Sequence, residues 1–600
     1  MNDSRKLIIR ASVVIVGFIF LLKLMSIQVL SDNYRLAAEN NIIQRIIEYP
    51  YRGLIYDRNG ELLVINNPIY DLMVVPMEVQ VNDTSEFCSL FGIDKQTFID
   101  KYNVARQYSV IKPSIFIKQI SNMEYARIQD KLIDFKGFYI SARSVREYPC
   151  PVLSNALGYV GEISKNQLER DTTNYYRMGD YIGISGMESS YEKQLRGLRG
   201  VKKRMVNVRG VEQGLYKDGK LDTLSVPGSN LISTIDLTLQ QYAEKLLEGK
   251  VGSLVAVEPS TGEILSIVSA PSYDPNLLSG RKFSENFQKL SSDTLVPLFN
   301  RPIMAMYPPG SMFKTIQALI ALQENVIRAD ELIYSDGRLI GDLAPIGYYD
   351  VQEAIKYSSN NYFFKVFRRI INRGVDPSPY IDARFGLEKW RNYVVRFGLG
   401  TTLDVDLPNP KSGYVPTVEY YDRVYGQNRW KFSNIYSLCI GQGETLVTPL
   451  QMANLGAILA NKGYFYTPHI IKSIDENGEP DSRFMVKNEV GIDSANFNPV
   501  INGMQEVVRS GSGRRAYMPN IAVCGKTSTV ENPHGEDHSG FMGFAPKENP
   551  KIAIAVYVEN AGWGARAAAS ISGLVIEKYL TGEVKRTWLE DYVLKGEFIY

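Results

Sequence analysis

A chain of 600 residues is too long for one hydrophobic core, so two or more folded units are expected. It is 44% hydrophobic and 22% charged with a net charge of +2, which excludes wholesale disorder and leaves no basic field to hold nucleic acid. Three histidines (His469, His534, His538) and four scattered cysteines (Cys88, Cys150, Cys439, Cys524) offer little material for a Ser-His-Asp triad, a multi-histidine metal site or a disulfide framework.

The first predicted element is a membrane segment, RKLIIRASVVIVGFIFLLKLMSIQVL. Residues 11–22 carry no charge, and the apolar run resumes beyond Lys23, whose stem can snorkel. Arg5, Lys6 and Arg10 precede it, which places the N-terminus in the cytoplasm and the bulk outside. No small-x-small cleavage site follows, so residues 1–30 read as an uncleaved single-pass anchor and not as a signal peptide.

Residues 31–225 read as a mixed α+β, non-catalytic region. YPYRGLIYDRNGELLVINNPIYDLMVVP holds an Asn59-Gly60 turn between apolar runs, the mark of a hairpin, then a further strand. Residues 85–135 have a helical period with charged faces, as in SNMEYARIQDKLIDF.

A second unit is expected over 226–585, followed by a C-terminal tail at 586–600. GSNLISTIDLTLQQYAEKLL predicts a strand, an Asp236 cap and a helix. GSLVAVEPSTGEILSIVSAPSYDPN predicts two strands around a Ser-Thr-Gly turn. Near the other end, NIAVCGKTST, SGFMGFAP and KIAIAVYVEN are strand candidates, and ARAAASISGLVIEKYL is a helix. The middle is rich in helical patterns. Strands at both ends with helices between them predict a sheet with a helical lobe, of α+β class.

Three short elements bear chemistry. In YPPGSMFKTIQALIAL, Ser311 and Lys314 stand three apart where a helix begins, so the amine can reach the hydroxyl. A serine hydroxyl is a weak nucleophile until a base takes its proton, and lysine is that base only when burial or a second cation keeps it neutral. A capped helix with a surface lysine is the bland reading. In KYSSNNYFFKVF, Ser358 and Asn360 lie in a polar knot that is either an ordinary cap or part of the same cleft. In AVCGKTSTV, Lys526, Thr527, Ser528 and Thr529 end a strand pattern. A phosphate loop needs a glycine where Asn520 sits and a helix afterwards, so that reading fails. GQGET and GSGRR read as turns for the same want of context. His534 and His538 read as a loop beside the cleft, and Cys524 as a packed thiol.

Ser-x-x-Lys, a Ser-x-Asn and a Lys-Thr pair, in this order, form the signature of penicillin-binding proteins. The chain resembles a class B penicillin-binding protein of the elongation type, the penicillin-binding protein 2 family, over nearly its full length. YRGLIYDRNGELL and GISGMESSYEKQLRG are similar to the family's pedestal, a dimerisation-like domain. PLFNRPIMAMYPPGSMFK, IGQGETLVTPLQMANLGAILANKG and ENPHGEDHSGFMGFAP are similar to its transpeptidase domain, which is serine β-lactamase-like. The resemblance implies that Ser311 is acylated with Lys314 as its base, that Ser358 relays a proton and Asn360 holds the lysine and the substrate amide. It implies that Lys526 draws a substrate carboxylate and helps keep Lys314 neutral, with Thr527, Ser528 and Thr529 binding substrate. The N–H groups of Ser311 and Thr529 would form the oxyanion hole. The implied reaction cross-links the D-Ala-D-Ala stem peptides of peptidoglycan during elongation, and β-lactams would acylate the same serine. Implied partners are the membrane, a SEDS-type, RodA-like glycan polymerase and other elongation-complex proteins, without nucleic acid.

Two departures bear on this. The third element is Lys-Thr-Ser where the family usually has Lys-Thr-Gly, so Ser528 is expected to narrow the cleft. Residues 318–357 contain neither His nor Cys, so no zinc, and no cofactor of any kind, is expected. The rival readings are a D,D-carboxypeptidase or β-lactamase-like hydrolase, for which no dedicated water-activating base is identifiable, and a non-catalytic β-lactam-binding scaffold.

Overall fold

In a computed structural model of the chain, residues 3–26, 43–80, 83–206, 212–476, 478–532, 535–596 and 598 are described. His534, the ends of the predicted anchor and the last two residues of the predicted tail therefore lie outside the described residues. Helix α1 (Asp3–Met25) contains a 19-residue stretch, Leu7–Met25, of mean hydropathy 2.4 with none of it buried. It is long and apolar enough to cross a bilayer.

The chain divides into two compact units. The smaller comprises Met1–Arg52, Asn66–Val145 and Arg196–Gly228, and the larger comprises Gly53–Ile65, Arg146–Leu195 and Ser229–Tyr600. The sequence pattern predicts one block over 31–225. Two segments of that block instead belong to the larger unit, and hydrogen bonds say why. Ile55–Tyr56 pairs in parallel with Leu231–Ser233. Arg58 reaches Glu258 and Glu263 at 3.2 and 2.9 Å. Tyr148 exchanges two main-chain bonds with the Asn276 amide, and Leu153 N–H donates to Glu244 Oε1. The hairpin expected at Asn59-Gly60 is present: Ile55 pairs with Val64, Gly60 takes φ +92°, and Asp57 Oδ1 accepts from Asn59 N and Glu61 N at 2.8 Å each.

In the smaller unit, Ile43–Glu48, Gly200–Val206 and Glu212–Leu215 form an antiparallel sheet. A second core gathers around Phe87, whose ring lies 4.6–5.7 Å from Phe91, Phe98, Phe116, Phe135 and Phe138. The helical period read over 85–135 resolves into Thr84–Phe91, Lys95–Tyr108 and Asn122–Ile128, capped by Asp83, Asp94 and Ser121. A strand, Ser114–Ile120, interrupts them. Its Ile-Phe-Ile core falls inside the stretch whose neighbours set a helical period.

The larger unit is built on α2 (Leu237–Leu247), β1 (Gly252–Val257), β2 (Ile264–Ala270), α3 (Lys314–Gln323), α4 (Asn360–Ile371), α5 (Pro449–Ala460), α6 (Phe497–Ser510), β3 (Cys524–Val530), β4 (His538–Ala545), β5 (Ile552–Val558), α7 (Ala568–Thr581) and α8 (Thr587–Lys595). Asp236 caps α2 by accepting from Leu239 N, as the sequence predicts. The strands form one antiparallel sheet in the order β2-β1-β5-β4-β3, which makes β3 an edge. Alternate residues serve opposite faces. Val255, Val257, Ala553, Ala555 and Tyr557 join a core with α3 to α6. Leu254, Ala256, Ile554, Val556 and Val558 join a second core with α2 and α7. Helices on both faces explain why β1 and β5 read as unbroken apolar runs.

The predicted tail contains a packed helix. Helix α8 buries Leu589 and Val593 in the second core, together with Phe598. Leu589→Ala is expected to cost about 2–5 kcal/mol. Trp588→Ala, at a residue that is 62% exposed, is expected to cost less than about 0.5 kcal/mol. Urea unfolding of the two variants against the parent protein checks the contrast.

Candidate active site

Ser311 lies in a 3-10 turn, Gly310–Phe313, that runs into α3. Two prolines restrict the approach, and Gly310 then takes φ +54°, a left-handed value open to glycine. Its N–H donates to Gly441 O at 2.9 Å. A Cβ on Gly441 would lie 2.5 Å from Gly310 O, so both glycines are required by close approach. Further along, Gln317 bridges Leu438 O and the Trp390 indole N–H, and Phe313 packs edge-on to Trp390. The half-buried Ser311 is therefore carried on a turn braced from two sides.

Lys314, one turn on, is fully buried. Its amine donates to Ser358 O at 2.6 Å, Asn360 Oδ1 at 2.6 Å and Ser358 Oγ at 3.1 Å. Three acceptors occupy the three protons of an ammonium. Helical spacing puts the amine within reach of Ser311, and its hydrogen bonds run to the second element. Burial pulls its pKa from 10.5 down to about 8, against the opposing pull of Asp342.

Ser358 holds φ +56°, which is strained for a residue with a Cβ. This conformation presents its carbonyl to Lys314, while Ser359 begins α4 and caps it by accepting from Tyr362 N. Asp342, half-buried behind the motif, accepts from Ser359 Oγ at 2.7 Å and Asn361 N at 2.9 Å. The Asn360 amide donates to Gly341 O.

Lys526 enters from β3 and is also fully buried. It donates to Ser358 Oγ at 2.9 Å and to Thr527 O at 3.2 Å. One hydroxyl thus stands between two lysine amines. Burial holds Lys526 well below its ordinary range, and the charge of Lys314 pushes it the same way. Lys314 has three good acceptors and the nearby Asp342 to favour its charged form, and Lys526 has neither.

Thr527 Oγ1 shares a 2.6 Å hydrogen bond with Ser512, and Thr529 Oγ1 accepts from Gly564 N. Ser528 is turned away from open space. It is 1% exposed, and its hydroxyl donates to Pro309 O at 3.1 Å. The cleft-narrowing role expected of this side chain does not match that position. Cys524 is packed, its thiol pushed up to about 12 by burial.

A family model described as penicillin binding protein transpeptidase domain matches residues 252–577, and one described as penicillin-binding protein dimerisation domain matches 47–233. The peptidoglycan D,D-transpeptidase MrdA of Haemophilus influenzae is 30% identical, over 92% of this chain and 87% of that protein. The chain belongs to the penicillin-binding protein 2 family. The Helicobacter pylori penicillin-binding protein 2, solved as a complex with MreC, superposes with a TM-score of 0.73 at 25% identity, covering 90% of this chain and all of that one. A chain of a peptidoglycan synthase complex superposes with a TM-score of 0.70 at 25% identity, covering 97% of this chain and all of that one. The protein is accordingly a peptidoglycan D,D-transpeptidase of cell elongation, acting by serine acyl transfer and inhibited by β-lactams. With α1 ahead of the dimerisation region, it has the form of a membrane-anchored penicillin-binding protein.

Several residues around the family motifs carry a weak signal or none in the sequence. Asp342 sits in SDGRLIGDLAPIG with no pattern to mark it. Gly441 and Ser512 lie in the glycine turns GQG and GSG, where paired glycines were a usable signal of close approach. His469 is buried with its ring stacked on Phe484, and His538 accepts from the Asn560 N–H. The strain at Ser358 yields a test. Ser358→Gly and Ser358→Ala lose the same hydroxyl, but only glycine relaxes at positive φ. The glycine variant should be the more stable by about 1–2 kcal/mol, read by urea unfolding.

Proposed function

We propose that Ser311 is the acylated nucleophile, Lys314 the base that takes its proton, and Ser358 the hydroxyl that passes a proton between Lys314 and Lys526. Asn360 orients Lys314 and the substrate amide. Lys526, with Thr527 and Thr529, receives the terminal carboxylate and backbone of the donor stem peptide. The N–H groups of Ser311 and Thr529 stabilise the oxyanion. The reading is carried by the single hydroxyl held between two buried amines, at 3.1 Å from Lys314 and 2.9 Å from Lys526, with Ser311 one helical turn away.

The chemistry follows from the proton count. A substrate carboxylate beside Lys526 favours the charged form there, and two ammoniums sharing one hydroxyl repel, so the charge leaves Lys314. A neutral Lys314 keeps two N–H groups for Ser358 O and Asn360 Oδ1 and frees one lone pair. Ser311 Oγ attacks the carbonyl between the two D-alanines, and its proton passes to Lys314. The C–O bond forms, the C–N bond breaks, and the proton goes to the departing D-alanine amine. An amine of a neighbouring stem peptide then attacks the ester, restoring Ser311 and making the cross-link.

Labelling with a fluorescent penicillin tests the assignment. The parent protein is expected to carry one adduct, located on the Ser311 peptide, and Ser311→Ala none. Labelling that persists in the variant removes Ser311 from the role.

The pKa of Lys314 sets the sign of a second test. Below about 8 the amine is protonated and cannot accept the Ser311 proton. The second-order acylation constant, which reports the free enzyme, should rise with pH, reach half its plateau near 8, and fall about tenfold per unit well below that. A rate that is flat from pH 6 to 9 counts against Lys314 as the base.

The basic residues Arg5, Lys6 and Arg10 ahead of α1 support a cytoplasmic N-terminus, with the catalytic unit on the far side of the cytoplasmic membrane. The likeness to the MreC complex and to the synthase complex supports elongation proteins as partners, a SEDS-type, RodA-like polymerase among them.

A further inference from the structure

Successive inward-facing residues of β3 tie it to two different parts of the site. Lys526 reaches the second element at Ser358 Oγ. Ser528, two residues on and facing the same side, reaches the first element at Pro309 O, 3.1 Å away across 219 residues of sequence. The bond is buried, so no water competes for the hydroxyl. Its fit is close: a Cβ added at Gly310 would lie 2.2 Å from Ser528 Oγ. The glycine that allows the left-handed turn before Ser311 is thus also what makes room for the Ser528 hydroxyl. Pro309 is two residues before Ser311, and Ser528 is one before Thr529.

We infer that Ser528 is a positioning residue, whose hydroxyl bond to Pro309 O sets the spacing between the Ser311 and Thr529 N–H groups that receive the oxyanion. This rests on the assignment of Ser311 as the nucleophile. The bond fixes two short stretches of main chain against each other, each ending at one of the two donors. With glycine at 528 the main chain has no such link, and the spacing depends on packing alone. Preorganised donors act on the tetrahedral state and not on the bound ground state, so the effect falls on the acylation step and not on binding.

The test separates these steps. Ser528→Ala keeps the Cβ and loses the donor, and Ser528→Gly loses both and suits any strand geometry. For each, rapid-quench kinetics with a penicillin give the pre-acylation dissociation constant and the acylation rate constant. Inhibition by a boronic acid, which mimics the tetrahedral state, is measured alongside. Both variants should acylate about 10- to 100-fold more slowly, with the dissociation constant within about twofold of the parent and boronate affinity falling in step with the rate. Either variant acylating within about twofold of the parent rate overturns the inference, as does a loss confined to the dissociation constant. Mass mapping of the slow adduct keeps the two readings apart. An adduct on Ser311 with unchanged kinetics rejects the role of Ser528 alone, and an adduct elsewhere in the parent protein rejects Ser311.

Discussion

Two lysines are buried around one hydroxyl, and the catalytic unit is arranged to keep them there. An isolated ammonium in a protein interior is strongly penalised unless its protons are taken up. Lys314 meets this condition with three acceptors on one short stretch, Ser358 and Asn360. Lys526 meets it in part, with the same Ser358 hydroxyl and a main-chain carbonyl. The site therefore holds less than two full charges' worth of solvation. In the proposed mechanism that shortage is what lets a substrate carboxylate decide which amine keeps the proton.

Such an arrangement needs stiff supports, and they lie in a layer behind the motifs. Asp342 gathers Ser359 and Asn361 so that Ser358 can hold its left-handed conformation and aim its carbonyl. Trp390 and Gln317 fasten α3 to the 3-10 turn at Leu438. Ser512 holds Thr527 from the end of α6. Each motif thus comes with a neighbour distant in sequence that has no chemistry of its own. The strain at Ser358 is held by these neighbours, in keeping with strained conformations being found where the surroundings over-determine them.

Much of this was legible in the chain. The strands of the central sheet and the Asp236-capped helix follow from apolar runs and turn residues, which are local signals. The residues of the site were legible because helical spacing joins Ser311 to Lys314 and because the three elements occur in a recognisable order. What stayed hidden depends on contacts between distant residues. The strand Ser114–Ile120 was lost because its neighbours set a helical period. The true membership of 53–65 and 146–195 is decided by partners such as Glu263 and Asn276. Asp342 carries no pattern at all. Ser528 was visible as a departure from glycine, but the direction of its side chain was not, because whether a strand residue lines a groove or grips the opposite wall depends on what packs there.

The interleaving of the larger unit has a consequence for biogenesis. A ribosome delivers 53–65 and 146–195 long before their partners, since Arg58 waits for Glu263 across 205 residues and Tyr148 for Asn276 across 128. The smaller unit's Phe87 core closes within residues 72–138 and needs no such delay. Synthesis therefore leaves early segments unpaired, one of them bearing a strand that must later pair in parallel. For as long as translation of the intervening residues lasts, those segments lack the partners that bury and pair them.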